Sequence, residues 1–268
     1  MSHTLSETAS FDANIVVPDN GDALDATTAD APLLKLANRT KHLRFDGRLD
    51  WNGEISNTPS SADVVVGPIP YLSLGGVLLS TSSSTNVTTS GLAADTWYYL
   101  YAYNDAGSLL IEYSTTGPDA SRVFKSGDTT RRYLGLFRSN GSSVILPFRA
   151  HRGEYLYHVS ALAGSNWVVF NDGAPGAGIT LDCGSLKPAW AKHVMLDVAV
   201  RNSSSGLILA SLYSVTSETG LPKTVESVSG DQVYERFWMM TPDHQVWITS
   251  TVVGGTAHVS VWVAGFKE

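Results

Sequence analysis

The pattern of apolar and polar positions is dominated by alternation. The densest stretch is Trp97-Tyr98-Tyr99-Leu100-Tyr101-Ala102-Tyr103. Alternate residues of a strand point to opposite faces. Trp97, Tyr99, Tyr101 and Tyr103 therefore share one face, and Tyr98, Leu100 and Ala102 the other. Both faces carry bulk, so this strand needs cover from two sides, by a second sheet or by another copy of the chain. A turn at Asn104-Asp105-Ala106-Gly107 leads into a second run, Leu109 to Tyr113.

From about residue 50 onward nearly every segment alternates with period two. Val64 to Val66, Tyr71 to Leu74 and Val77 to Leu79 read as short strands broken by glycine and proline. Arg132 to Arg138 alternates and meets Val144-Ile145-Leu146 across Asn140-Gly141, a hairpin signal because both residues tolerate positive φ. Residues 160–190 are rich in glycine and proline and read as a boundary or long surface loop. A second series follows. His193 to Arg201 turns Val194, Leu196, Val198 and Val200 inward, and Leu207–Val215, Tyr234–Met240, Gln245–Val253 and Ala257–Phe266 continue it. Five strands at hairpin spacing suit a β-sandwich or jelly roll.

The first 45 residues differ. Residues 1–31 are polar and acidic, interrupted by Ile15-Val16-Val17-Pro18, and read as an extended arm that orders only by docking. Ala31 to Arg44 predicts the best helix of the chain, with Asp30 as cap and Pro32 in the first turn. Leu33, Leu36 and Leu43 form its apolar stripe, which must pack on the following domain, a partner or symmetry copies. The expected organisation is all-β: an arm and short helix (1–45), a first β domain (46–160) and a C-terminal β-sandwich (161–268), the β domains sandwich- or jelly-roll-like.

Composition sharpens this picture. Charged residues make up 16% of the chain, against the usual quarter, so serine, threonine, glycine and asparagine must carry much of the polar surface. The formal net charge of −7 argues against nucleic-acid binding, which needs a cationic surface. It equally disfavours a polybasic membrane contact. No apolar run reaches the ~20 residues of a membrane span. The N-terminus carries no basic or apolar region of a secretory signal, which predicts synthesis in a cytoplasm without export. Cys183 is the single cysteine, so an intramolecular disulfide is excluded, and it reads as a buried apolar residue rather than a reactive thiol.

Candidate chemistry is sparse. There is no G-x-S-x-G elbow and no H-E-x-x-H. His151 and His158 flank Glu154, but on a straight strand they face opposite ways. The acidic run Asp19 to Asp25 lacks the spacing and closing glutamate of a calcium loop. Glu112 and Glu154 lie beside aromatics on predicted strands and come nearest to a glycosidase pair, although exposed sheet-face carboxylates are far commoner. No catalytic residue, metal ligand or cofactor site is expected. Trp238, Trp247 and Trp262 sit on three predicted C-terminal strands. They read either as sandwich core or as contacts to a receptor or glycan. The loops at 203–206, 217–223 and 253–256 are placed to meet a ligand as well.

Three stretches in this order, Ala13–Arg44, Thr89–Gly107 with Ile111–Ala120, and Lys125–Arg149, resemble tail-associated structural proteins of bacteriophages and related prophage components. The resemblance covers about residues 15–150. It implies a virion protein of a tail fibre, baseplate or neck appendage, often a homotrimer, contacting other tail or neck proteins. On that basis Ile15, Val17, Leu33, Leu36 and Leu43 are the expected attachment or oligomer interface, and the C-terminal domain a host-receptor-binding module. The chain is short for a fibre and has no coiled-coil repeat, which fits a compact appendage better than a shaft. The alternatives are a carbohydrate-binding β-sandwich module, a capsid decoration protein and, in third place, a glycan-degrading enzyme.

Overall fold

The computed structural model describes residues 53–58, 61–151, 153–158, 168–176, 178–203, 205–214, 222–228, 230–241 and 244–268. The expected arm and helix, with Ile15, Val17, Leu33, Leu36 and Leu43, lie outside the described residues.

The described chain is all-β, as the alternation predicts. Its strands are β1 (Glu54–Asn57), β2 (Asp63–Val66), β3 (Leu72–Leu74), β4 (Val77–Leu79), β5 (Thr85–Thr88), β6 (Trp97–Asp105), β7 (Ser108–Ser114), β8 (Phe124–Lys125), β9 (Asp128–Arg138) and β10 (Phe148–His151). There follow β11 (Glu154–Tyr157), β12 (Val168–Gly173), β13 (Ile179–Asp182), β14 (His193–Asn202), β15 (Leu207–Tyr213), β16 (Lys223–Val228), β17 (Gln232–Met240), β18 (Gln245–Val253) and β19 (Ala257–Lys267). Among the described residues the one helical element is a 3-10 turn at Gly184–Leu186. Two compact units emerge. One holds Val66–Val87 and Tyr99–Leu134, the other Glu54–Val65, Thr88–Tyr98 and Gly135–Glu268.

In the first unit β3 and β4 form a hairpin in which Leu74 pairs with Val77. The two intervening residues, Gly75 and Gly76, have φ of +58° and +80°. That is the primed turn whose twist matches a two-residue hairpin. A four-stranded sheet in the order β7-β6-β9-β8 completes this unit. The β6–β7 hairpin pairs Asp105 with Ser108. Its turn residues, Ala106 and Gly107, both have positive φ, and the Gly107 N–H donates to Asn104 Oδ1 at 2.8 Å.

The aromatic strand β6 obtains much of its second cover within its own unit. Leu100, Tyr101 and Ala102 are all fully buried. The Tyr101 hydroxyl donates to the Thr116 carbonyl at 2.7 Å, and burial pushes this phenol well above its ordinary range. The Arg131 guanidinium lies 4.2 Å from the Tyr103 ring centroid, and Lys125 Nζ 5.6 Å from that of Tyr101. Glu112 holds both cations, at 3.2 Å and 3.1 Å. The cations thus shield the aromatic face that the sequence alone would assign to another sheet or copy.

The second unit contains a jelly roll. β12, β14, β17 and β19 form one antiparallel sheet in the order β17-β14-β19-β12. β13, β15, β16 and β18 form the other, in the order β13-β18-β15-β16. The chain passes between the sheets at β12–β13, β13–β14, β14–β15, β16–β17, β17–β18 and β18–β19, the winding of a jelly roll. Val194, Leu196, Val198 and Val200 of β14 face the interior with Val259, Val261 and Val263 of β19. Ile208, Ala210 and Leu212 of β15, Val225 of β16 and Val246 and Ile248 of β18 meet them from the opposite sheet, and all are fully buried.

β19 also joins the jelly roll to the remaining strands of this unit. Its first part pairs with β12, and then Gly265–Lys267 pairs with β11. β11 continues through β10 and β1 to β2. A bulge makes the handover. Leu196 pairs with Val263 but Met195 pairs with Gly265, leaving Ala264 as the extra residue. A Cβ on Gly265 would stand 2.1 Å from the Tyr155 carbonyl oxygen, so only glycine allows this approach. Phe266 then stacks on Tyr155 at 4.5 Å and meets Trp97 edge-on at 5.8 Å.

The β6–β7 turn holds a specific liability. Ala106 has φ of +48°, a conformation that disfavours alanine and suits asparagine. Replacing Ala106 by Asn should stabilise the protein by about 1 kcal/mol. Chemical denaturation of the two forms, read by tryptophan fluorescence, checks this through a higher midpoint at unchanged slope.

Candidate functional site

The outward face of the sheet β17-β14-β19-β12 is built in rows by its register. Gln232, Arg201 and His258 form one row, Tyr234, Ala199 and Ser260 the next, and Arg236, Asp197 and Trp262 the third. The middle row has small residues at its centre and long ones around it. A hollow of about 300 Å³ results, floored by Ala199 and Ser260 and closed on the β12 side by Asn171. Arg201, Gln232, Tyr234, His258 and Trp262 supply the rest of its lining.

Its walls differ in chemistry. Trp262 is 6% exposed, whereas Tyr234 on the edge strand β17 is 51% exposed and offers an open ring. The Gln232 side-chain amide donates to the Tyr234 hydroxyl oxygen at 2.5 Å. The Ser260 hydroxyl donates to Asn171 Oδ1 at 3.4 Å. Beyond Trp262 the buried Asp197 accepts two hydrogen bonds from Arg236, Nε to Oδ1 at 2.5 Å and Nη2 to Oδ2 at 2.6 Å. This bidentate pairing raises the guanidinium above its already high ordinary range. It also closes the Asp197 carboxylate to other chemistry. The Trp262 indole N–H is buried and has no hydrogen-bond partner among the described residues.

The three tryptophans singled out from sequence do not converge. Trp262 lines the hollow. Trp238 is on the same outward face, opposite Met195 and next along β17 from Arg236. Trp247 belongs to the other sheet, opposite Thr180 and Tyr213 on its outward face. Its indole lies against Gly178, where a Cβ would stand 2.4 Å from Cζ2, so this ring is seated on backbone. Of the expected tip loops, 253–256 is described, and Val253 is 62% exposed. The other two include residues outside the described set.

Sequence reasoning missed Arg201, Gln232, Tyr234, His258, Ser260 and Asn171. The signal was present in the outward positions of β14. Asp197, Ala199 and Arg201 alternate with valines, and a carboxylate and an alanine in mid-strand are poor fillers for an ordinary solvent face.

The carboxylates considered for hydrolysis are otherwise engaged. Glu112 is held by Lys125 and Arg131, and Glu154 by Lys267 at 2.5 Å. They also belong to different units. Among the described residues no group of three or more His, Cys, Asp or Glu is arranged to hold a metal ion.

No family model matches the chain, and no curated protein matches it either. Similarity to solved structures is slight. An arabinoxylan arabinofuranohydrolase of glycoside hydrolase family 43 from Bacillus subtilis aligns with 13% identity and a TM-score of 0.23, covering 80% of this chain and 53% of that one. Beta-glucuronidase 2 of Bacteroides uniformis aligns with 10% identity and a TM-score of 0.21, over 79% of this chain and 28% of that one. A further Bacteroides uniformis beta-glucuronidase gives 10% and 0.22, over 80% and 28%. The chain thus spans about half or less of each of these proteins, and TM-scores this low establish no shared fold.

Cys183 is fully buried beside the 3-10 turn, and burial pushes its thiol up to about 12. The native thiol should resist a disulfide reagent that modifies it at once in denaturant. The linkage has a definite sign. The buried neutral thiol stabilises the fold fully below the unfolded-state value, near 9, and that contribution is lost as pH rises from there toward 12. The denaturation midpoint of the wild type should therefore fall relative to that of Cys183→Ala over that window.

Proposed function

We propose that this chain is a structural attachment protein of a phage tail appendage whose jelly roll binds carbohydrate. The observation that carries the binding half is the hollow on the outward sheet face. It combines an open tyrosine ring and a buried tryptophan with amide, hydroxyl, imidazole and guanidinium groups around a small-residue floor. Aromatic faces suit the C–H surfaces of sugar rings, and converging polar groups suit their hydroxyls. The volume is at the small end of ligand pockets, room for one or two sugar units.

Binding without turnover is favoured by the state of the carboxylates. No described side chain lining the hollow is a carboxylate, and Asp197 nearby is clamped by Arg236. Glycoside hydrolysis in its usual form needs two carboxyl groups flanking the bond.

The attachment half rests on the sequence resemblance of residues 15–150 and on the exposed apolar side chains of the first unit. Tyr71, Val77 and Leu78, on and beside the β3–β4 hairpin, are 51%, 43% and 46% exposed. Such a group is suited to burial against a partner. In this reading residues 1–45 fasten a homotrimer to other tail or neck proteins, and the hollow contacts a glycan of the host surface.

The test is binding of a broad oligosaccharide panel by the full chain and by Tyr234→Ala. Tyr234 is exposed enough to be truncated without unfolding. The variant should bind about five- to tenfold more weakly, on the order of 1 kcal/mol, with unchanged circular dichroism. A full chain that binds no saccharide in the panel, or a Tyr234→Ala form that binds as the wild type does, overturns the assignment of the hollow.

A further inference from the structure

We infer that the hollow selects a sugar bearing a carboxylate, a uronate-type unit, and that Arg201 is the partner of that carboxylate. This rests on the carbohydrate reading above and narrows it to one ligand class.

The two arginines on this sheet face are in opposite states. Arg236 is bound at two points by Asp197. Arg201, two outward rows further along the register, is exposed at the rim and has no ion-pair partner among the described residues. No carboxylate is among the described side chains of the lining.

The hydrogen-bonding inventory leans the same way. Asn171 Oδ1 already accepts from Ser260, and the Tyr234 hydroxyl oxygen already accepts from Gln232. On the donor side stands the Arg201 guanidinium, exposed at the rim. A ligand that completes this surface should bring acceptors. A carboxylate brings two in the fork geometry that a guanidinium matches. A neutral sugar brings hydroxyls that both donate and accept, and leaves the guanidinium charge unanswered. The chain as a whole carries −7, so long-range attraction does not explain a preference for an acidic sugar. The preference has to come from this rim.

The experiment is calorimetry on the full chain with four kinds of probe. These are oligo-uronates, the same oligomers with their carboxyl groups reduced to alcohols, and sulfated oligosaccharides. Neutral gluco-, galacto- and manno-oligosaccharides complete the panel. The oligo-uronates should bind at least tenfold more tightly than their reduced counterparts. Arg201→Gln should abolish that preference, weakening the oligo-uronates at least tenfold more than the reduced oligomers, and Arg201→Lys should restore part of it. Equal binding of both forms, or a preference that survives Arg201→Gln, overturns the inference and leaves the carbohydrate reading standing. Binding of sulfated but not carboxylated oligomers overturns it as well. Absence of binding to every saccharide removes the carbohydrate reading itself.

Discussion

Strand β19 is the constraint on which the second unit depends. Its backbone is paired along both edges, with β14 over its length on one side and with β12 and then β11 on the other. Buried backbone groups must be paired, so these three partners are fixed by one strand. The bulge at Ala264 and the absent side chain at Gly265 let β19 change partner without breaking its ladder to β14. The hollow follows from the same register, because it is β19 that sets Ser260 beside Ala199 and Trp262 beside Asp197.

The elements were legible in the sequence, and their partners were not. Val194, Leu196, Val198 and Val200 face inward as their alternation requires, and the same holds for Ile208, Ala210 and Leu212. Period two states which residues share a face. It is silent on which strand lies alongside, because many partners satisfy the same alternation. That is why β19 as a shared neighbour of β11, β12 and β14 could not be read from residues 257–267 alone. The hollow was hidden for a related reason. Its lining comes from four strands scattered over residues 171–262, and only the register brings Arg201, Tyr234 and His258 together. The tryptophans drew attention through size. Trp262 does line the hollow, while Trp247 is explained by its seat on Gly178.

The aromatic strand β6 teaches a different lesson about reading bulk as a demand for partners. Tyr101 and Tyr103 are covered by Lys125 and Arg131, whose charges are held by Glu112. Long cationic side chains lay their stems along apolar surface and keep their heads in water. Five residues therefore form a self-contained cap that a sum of hydrophobicities does not reveal. The inference that doubly apolar strands require a second copy loses force for this strand. It keeps force for Tyr71, Val77 and Leu78, whose exposure is open to such a contact.

The place of β19 in the chain has a consequence for biosynthesis. Every strand it pairs with precedes it, the earliest of them by about a hundred residues. A nascent chain must therefore leave the ribosome with the edges of β11, β12 and β14 open, and those edges are rich in valine and tyrosine. Closure of the jelly roll waits for β19, and until it happens the growing polypeptide is a substrate for chaperones and for edge-to-edge misassembly. A newly made copy with a neighbour on the same messenger would be at its most sticky in that interval.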